Sequence, residues 1–252
     1  MYPLLLQLGP IKIPTYGALM ACGFILAFTV AAQKTEKKSY DPDNVANLFF
    51  IIVLSSILGS RALFVALRWE HFLAHPLQAF MLWRGGLVFY GGLISAVVSS
   101  MAYCRYTKLP IAEMSDLLAP SLALGHVFGR LGCFAYGCCY GAATTLPWGV
   151  VFPRDGARVV RHPTQLYEAL AELLIFYLLT KLYERKPPTG SVMSTYVLLY
   201  STFRFFVEFI RADNRGGTFL FGLSIAQNTA LLLILGALIA LSLSLKHNRL
   251  KG

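Results

Sequence analysis

Long apolar segments alternate with short polar ones along the whole chain. Seven of them approach or exceed the roughly 20 residues that a helix needs to cross a bilayer. The predicted spans are residues 16–32, 45–67, 87–103, 114–134, 164–183, 191–210 and 220–245. This pattern predicts an all-α, polytopic membrane protein of about seven transmembrane helices, with residues 1–252 as a single integral membrane domain.

Three further segments lie outside these spans. Residues 1–14 form a short amphipathic lead-in that Pro10 and Pro14 interrupt. Residues 68–84 are amphipathic and carry Trp and His, side chains that favour a membrane interface. Residues 141–162 form a long polar loop rich in Pro and Arg.

Composition agrees with the span pattern. The chain has 252 residues, of which 56% are hydrophobic and 13% charged, and a mean hydropathy of +0.60. Soluble domains carry about 25% charged residues, so a soluble protein is excluded. The net charge of +10 is mostly topological in a membrane protein, and we expect no nucleic-acid partner.

Lysine and arginine lie on opposite sides of the predicted spans. The lysines beside span ends on one side are Lys34, Lys37, Lys38, Lys108, Lys181, Lys186, Lys246 and Lys251. The other side has Lys12 and the arginines Arg68, Arg84, Arg154, Arg158, Arg161, Arg211 and Arg215. The positive-inside rule makes the lysine side cytoplasmic, which puts the N-terminus outside and the C-terminus inside. Arginine suits phosphate and carboxylate recognition, so the outer half is predicted to bind an anion; contact with anionic headgroups is the alternative.

The central segment, residues 125–141, combines an arginine with closely spaced glycines and cysteines. Pairs of glycines four apart allow a helix backbone to approach a neighbour closely. Arg130 is costly in lipid and therefore indicates a functional site that faces protein or water. The alternative is a structural ion pair between Arg130 and a carboxylate.

Polar residues of the sixth span recur at three- and four-residue spacing. They are Tyr196, Tyr200, Arg204, Glu208 and Arg211. On a helix this spacing produces one polar stripe, which must face the bundle interior. Arg204 and Glu208 are either a structural ion pair or substrate ligands, and the sequence leaves both open.

Further polar residues are predicted on the outer half: Arg61, Tyr90, Arg161, His162, Gln165 and Glu168. Arg61, Arg130 and Arg204 are three arginines in an apolar bundle with few acids to pair them. A bound anion is therefore expected, and at this depth a phospholipid phosphate fits best. Together these residues predict a lipid pocket that faces the periplasm.

Three cysteines, Cys133, Cys138 and Cys139, allow three interpretations. They are inert small residues, or Cys133 forms a disulfide with one of the others, or one is a thiolate that Arg130 activates. Their spacing matches no standard zinc motif, so we expect no metal. No cofactor motif is present either.

Several motifs resemble the prolipoprotein diacylglyceryl transferases, bacterial inner-membrane enzymes. They are Pro-Thr-Tyr-Gly at 14–17, Gly-Ser-Arg at 59–61, the Gly-rich run at 85–94, Gly-Arg-Leu-Gly at 129–132 with Gly141, Arg-His-Pro-Thr-Gln-Leu-Tyr-Glu at 161–168, Tyr200, Arg-Phe-Phe-Val-Glu-Phe at 204–209, Arg211 and Gln227. The resemblance covers almost the whole chain.

The resemblance implies a seven-span fold and a specific reaction. The diacylglyceryl group of phosphatidylglycerol moves to the lipobox cysteine of a preprolipoprotein, which is the first step of bacterial lipoprotein modification. By this resemblance Arg130 and Arg204 bind the phosphate and stabilise it as it leaves. Substrate binding is assigned to Tyr16, Arg61, Tyr200, Glu208, Arg161 and Gln165. The implied partners are phosphatidylglycerol, the lipobox peptide and the bilayer.

Three positions depart from the family pattern. Tyr90 stands where the family usually has His, Cys133 where it has Asn, and Cys138 where it has Glu. The family histidine is a candidate base, and a phenol is a poor substitute because it is protonated at neutral pH. The predicted catalytic set is therefore Arg130, Arg204, Tyr90 and, as the substitute base, His162.

These departures keep two other functions open. One is a lipid-binding or lipid-moving membrane protein without chemistry. The other is a paralogous phospholipid-dependent transferase with another acceptor, including one that uses Cys133 or Cys138 as a covalent nucleophile.

Overall fold

The computed structural model describes residues 4–8, 11–36, 38, 40–82, 85–212 and 222–249. Most of these residues are helical. The helices are α1 (Thr15–Glu36), α2 (Pro42–Leu67), α3 (Trp69–Ala74), α4 (Phe89–Tyr106), α5 (Ile111–Tyr136), α6 (Thr164–Glu184), α7 (Ser191–Val207) and α8 (Ile225–Arg249). The strands are β1 (Leu4–Leu8), β2 (Ile11–Pro14), β3 (Val150–Val151) and β4 (Val160–Arg161).

Each predicted span corresponds to one of the long helices, which confirms the all-α membrane fold. Four helices, α1, α2, α5 and α8, are long and apolar enough to cross a bilayer by length and composition alone. Helix α7 ends at Val207, and the predicted span continues as a 3-10 turn over Glu208–Ile210. The predicted start of the last span, residue 220, lies outside the described residues, as do Arg84, Arg215, Lys37 and Lys251.

Large apolar side chains cover the outer faces of the long helices. Ile25 is 66% exposed, Phe50 64%, Leu170 66% and Leu232 72%. Soluble proteins rarely leave such continuous apolar surface in water. These faces therefore suit acyl chains, in keeping with a multi-pass membrane protein.

The chain divides into two compact units. The first unit comprises Met1–Ala31 and Ser115–Gly252, and the second comprises Ala32–Met114. The single membrane domain stays a prediction.

In the second unit, α2 and α4 meet through small residues. A Cβ added at Gly91 would lie 2.3 Å from the Gly59 carbonyl oxygen, and one at Gly59 would lie 2.6 Å from the Gly91 oxygen. The two backbones are in direct contact at this point, as in other small-residue helix pairs in membranes. The Val88 amide also donates to the Ser60 carbonyl at 3.1 Å.

In the first unit, α5, α6 and α7 share an apolar core. Its fully buried members are Ala119, Ala123, Ile175, Leu179 and Val192. The Asp116 carboxylate accepts hydrogen bonds from the amides of Gly190 and Met193, at 2.5 and 2.8 Å. It satisfies donors at the start of α7 that would otherwise lack partners in the helix.

The structure adds detail to the three segments outside the spans. The predicted lead-in contains an antiparallel hairpin of β1 and β2. Residues 68–84 contain α3 and a 3-10 helix over Pro76–Phe80. The polar loop of residues 141–162 contains the β3–β4 pair and isolated bridges from Gly141 to Arg211 and from Ala143 to Arg161.

We predict that Gly91→Ala destabilises the protein although alanine is the better helix former. The new methyl group meets backbone, and overpacking of this kind costs about 1–3 kcal/mol, against a helix-propensity gain of about 1 kcal/mol. Gly236→Ala in α8 is the matched control, because a Cβ there meets nothing within 4 Å. Thermal unfolding in detergent should show a lower Tm for the first variant and an equal or higher Tm for the second. Equal Tm values for the two variants would contradict the close contact.

Candidate active site

A shared carboxylate joins two arginines in the first unit. Glu168 on α6 is 1% exposed. Its Oε2 lies 2.7 Å from Arg130 Nη2 on α5, and its Oε1 accepts a hydrogen bond from Arg211 Nη1 at 2.6 Å. Glu168 therefore links α5 to the segment that follows α7. The structural ion pair considered for Arg130 is present.

A second polar pair lies one turn away on the same two helices. His126 Nδ1 on α5 is 2.7 Å from Glu172 Oε1 on α6. His126 precedes Arg130 by four residues and Glu172 follows Glu168 by four. The two pairs are therefore successive contacts between antiparallel helices.

Helix α7 supplies the remaining charged pair and two tyrosines. Arg204 Nη1 lies 2.6 Å from Glu208 Oε2, and Glu208 Oε1 accepts from Ser224 Oγ at 3.0 Å. The ring of Tyr200 stacks on that of Tyr196 at 6.1 Å and lies 5.0 Å from the His126 ring. The predicted polar stripe thus faces protein, and the Arg204–Glu208 pair is formed.

Tyr200 lies near both pairs. Arg130, Arg204, Glu168 and Glu172 are all within electrostatic range of its hydroxyl. The residues assembled around it form one polar layer, which we define as His126, Arg130, Glu168, Glu172, Tyr200, Arg204, Glu208 and Arg211.

The polar layer has more arginines than the glutamates that pair with them. Three guanidinium groups, of Arg130, Arg204 and Arg211, meet two carboxylates, of Glu168 and Glu208. Arg130 Nε and Arg204 Nη2 are buried and have no hydrogen-bond acceptor among the described residues. Buried donors of this kind are costly unless an acceptor satisfies them, so these two N–H groups are available to a ligand oxygen.

Tyr16 and Gln165 lie near the end of α5. A Cβ at Gly132 would be 2.8 Å from Tyr16 Cδ2, so the tyrosine ring packs directly on this glycine. Tyr16 also interacts electrostatically with Arg130. The Gln165 side-chain amide donates to the Cys138 carbonyl at 2.5 Å, which holds the chain just after α5.

Two predicted site residues belong to the second unit. Arg61 is 7% exposed and donates to the backbone carbonyls of Gln78, Ala79, Gly85 and Gly86. These bonds anchor the segment after α3, which is a structural role. Tyr90 is 48% exposed on the first turn of α4. Substrate binding by Arg61 and catalysis by Tyr90 stay predictions.

The polar loop holds Arg161 and His162. Arg161 donates two hydrogen bonds to Asp155, at 2.7 and 3.1 Å, and Tyr140 donates a third at 2.8 Å. The bonds from Arg161, and then that from Tyr140, lower the pKa of the Asp155 carboxyl. His162 Nδ1 lies 3.3 Å from the Tyr167 hydroxyl. Its role as a base stays a prediction.

Comparison of the sequence with known proteins identifies the family of the chain. A profile described as prolipoprotein diacylglyceryl transferase matches residues 3–243. The chain belongs to the prolipoprotein diacylglyceryl transferase family. The resemblance inferred from the motifs is therefore confirmed.

Curated relatives carry the name phosphatidylglycerol–prolipoprotein diacylglyceryl transferase. One from Oleidesulfovibrio alaskensis is 36% identical over 98% of this chain and 94% of its own length. One from Pseudoalteromonas atlantica is 33% identical over 98% and 91%. One from Bordetella bronchiseptica is 37% identical over 89% and 88%.

Sequence reasoning missed part of the polar layer of this transferase-family chain. It gave no role to His126 or Glu172, and it named Glu168 only as a polar residue near the outer surface. The four-residue spacing of His126 and Arg130, matched by that of Glu168 and Glu172, was the available signal. Pairing the two helices required their register, which the spacing alone does not give.

We predict that Glu168→Gln strongly destabilises the protein. It leaves Arg130 and Arg211 without their shared carboxylate, and breaking a buried pair costs about 3–5 kcal/mol. Glu184→Gln is the control, since Glu184 pairs with Lys181 where both side chains are about half exposed and such pairs contribute about 0–1 kcal/mol. Thermal unfolding in detergent measures both. A wild-type Tm for Glu168→Gln would show that the bridge does not stabilise the fold.

We also predict that Asp155→Asn loosens the polar loop. The folded-state pKa of Asp155 is depressed, so the ionised carboxylate stabilises the folded loop. This stabilisation is complete above the ordinary Asp pKa of about 3.9 and is lost as pH falls through the depressed value. Hydrogen exchange of peptides spanning residues 150–161 should therefore be faster in the variant at neutral pH. The wild-type loop should show the same loss, after correction for intrinsic exchange rates, only below about pH 3.9. Equal exchange at neutral pH would contradict this role.

Proposed function

We propose that the protein transfers the diacylglyceryl group of phosphatidylglycerol to the lipobox cysteine thiol of a prolipoprotein. Family membership and the printed names of the relatives support this activity. The observation that carries it is the presence of two buried guanidinium donors, Arg130 Nε and Arg204 Nη2, that lack acceptors among the described residues.

In this proposal the lipid phosphate occupies the polar layer. Arg130 and Arg204 donate to its oxygens, while Glu168 and Glu208 hold the two guanidinium groups in position. The acceptor thiol gives its proton to the predicted base, His162. Its sulfur attacks the glycerol carbon of the diacylglyceryl group, an S–C bond forms, and the C–O bond to phosphate breaks. Negative charge accumulates on the departing glycerol phosphate, and preorganised donors stabilise it.

Tyr16 and Tyr200 are proposed to line the substrate site. Tyr16 packs on the helix that carries Arg130, and Tyr200 interacts with both arginines. Gln165 fixes the chain beside them. For Arg161 the proposed part in substrate binding is indirect, since its guanidinium is paired with Asp155.

The proposed location is the bacterial inner membrane, with the N-terminus periplasmic and the C-terminus cytoplasmic. The lysine and arginine distribution supports this orientation. A phosphatase reporter that is active only outside the cytoplasm should stay inactive when fused after residue 252. An active reporter there would reverse the orientation.

We predict that Arg130→Lys and Arg204→Lys each lower transfer by roughly 100-fold or more, because lysine keeps the charge but loses planar bidentate donation. Arg185→Lys is the control, since Arg185 is exposed at the C-terminal end of α6. Purified protein with phosphatidylglycerol and a lipobox peptide should release glycerol phosphate and lipidated peptide together.

Three outcomes separate the candidate functions. If the wild type forms both products and the two arginine variants lose them at unchanged Tm, the transferase function is supported. Lipid binding without either product supports a protein that binds or moves lipid. Full activity in Arg204→Lys contradicts the assigned site.

A further inference from the structure

Three thiols converge just beyond the polar layer. Cys133 lies in the last turns of α5, and Cys138 and Cys139 follow the helix. Their sulfur atoms all lie within 4.8 Å of one another, and each residue is partly buried. Within the described residues this is the one group of three or more His, Cys, Asp or Glu side chains with its ligand atoms so close.

The end of α5 explains why the thiols meet. The Gly137 amide donates to the Phe134 carbonyl at 3.1 Å, and the Cys138 amide donates to the Cys133 carbonyl at 3.1 Å. Gly137 has φ +81°. These bonds define a Schellman motif, in which the residue after the glycine packs back on the last full turn. Cys138 and Cys133 occupy those two contacting positions.

The neighbouring helix holds this turn in place. Gln165 Nε2 donates to the Cys138 carbonyl at 2.5 Å, and Thr164 Oγ1 donates to the Cys139 carbonyl at 2.8 Å. Cys139 has φ +65°, a conformation that is uncommon for residues other than glycine. The backbone that presents the thiols is therefore fixed by hydrogen bonds before any ligand arrives.

The arrangement suits a thiophilic metal ion. Zinc binds thiolate sulfur at about 2.3 Å, which in tetrahedral or trigonal geometry separates the sulfurs by roughly 3.8–4.0 Å. Thiols already within 4.8 Å reach that separation by small side-chain rotations. Standard zinc motifs are recognised by linear spacing, and here the helix-terminal turn brings the ligands together instead.

We propose that Cys133, Cys138 and Cys139 bind one Zn²⁺ ion as three thiolates and leave its fourth coordination position open. Three protein ligands with one open position is the arrangement of catalytic zinc sites, whereas structural sites use four. The site adjoins the polar layer, because Cys133 lies three residues after Arg130 on α5. The Tyr16 hydroxyl lies within electrostatic range of all three thiols and of Arg130.

The open position gives the ion a role that rests on the proposed function. The acceptor cysteine thiol binds zinc there, and coordination deprotonates it outright, so that its proton passes to water. The zinc-bound sulfur then attacks the glycerol carbon, an S–C bond forms, the C–O bond breaks, and glycerol phosphate leaves toward Arg130 and Arg204. No tyrosine or histidine base is needed for that step.

Zinc binding is tested first, without lipid or peptide. Reduced, metal-free protein in detergent is titrated with Zn²⁺ against a competing chelator, and with Co²⁺ as a spectroscopic probe of thiolate ligation. We expect one ion per chain and thiolate-to-cobalt charge-transfer absorption. Cys133→Ser, Cys138→Ser and Cys139→Ser should each weaken zinc binding by more than the 10–100-fold that outer-shell changes cause.

Cys22→Ser and Cys104→Ser are matched controls, because these cysteines lie on α1 and α4 outside the cluster. They should bind zinc as the wild type does. Zinc binding that is absent in the wild type, or equal in cluster and control variants, overturns the site. So does mass spectrometry showing that protein purified without reductant carries a Cys133–Cys138 or Cys133–Cys139 disulfide and no zinc.

The role of the ion is tested in the transfer assay with the same variants. Chelated wild type should lose transfer and recover it when Zn²⁺ is returned. If zinc binds but chelation leaves transfer activity unchanged, the zinc site is retained and its thiol-activating role is overturned. Failure of the proposed transferase activity itself leaves the titration result unaffected, so the two failures are distinguishable.

Discussion

The Glu168 carboxylate, shared by Arg130 and Arg211, is the interaction on which the first unit depends. A guanidinium group in an apolar bundle is stable only when a carboxylate or another acceptor faces it. Glu168 serves two such groups from one buried position. Because Glu168 divides its two oxygens between two arginines, Arg130 Nε is left without an acceptor among the described residues. The proposed anion site therefore rests on the same interaction that links α5 to the segment after α7.

Rigidity around that anion site comes from the apolar contacts of the same helices. Helices α5, α6 and α7 pack through small or branched residues such as Ala119, Ala123 and Val192. Asp116 satisfies the amides that begin α7. Arg130 and Arg204 are therefore carried by helices that share an apolar core. Preorganisation of that kind is what electrostatic stabilisation of a leaving group requires.

Features of this structure that depend on one stretch of sequence could be predicted. Contacts between residues far apart in the sequence could not. Spans of apolar residues and the Arg204–Glu208 spacing follow from one helix alone, so both could be predicted. The Arg130–Glu168 and His126–Glu172 pairs depend on the register of two helices. The β1–β2 hairpin has strands too short to show a clear alternation. The hydrogen bonds of Arg61 to backbone carbonyls likewise depend on how a distant segment folds, which the sequence position of Arg61 does not specify.

The three cysteines show a second limit of predicting sites from linear spacing. Their linear spacing argued against a metal, because recognised motifs place two ligands on a tight turn and two elsewhere. At the end of α5 the helix-terminal turn replaces that spacing, since it returns the residue after Gly137 to the carbonyl of Cys133. Arg130 and Cys133 lie within one helical turn of each other on α5, and Cys138 and Cys139 follow directly after that helix. The proposed phosphate ligand Arg130 and the proposed zinc ligand Cys133 therefore keep a fixed relative position along that helix.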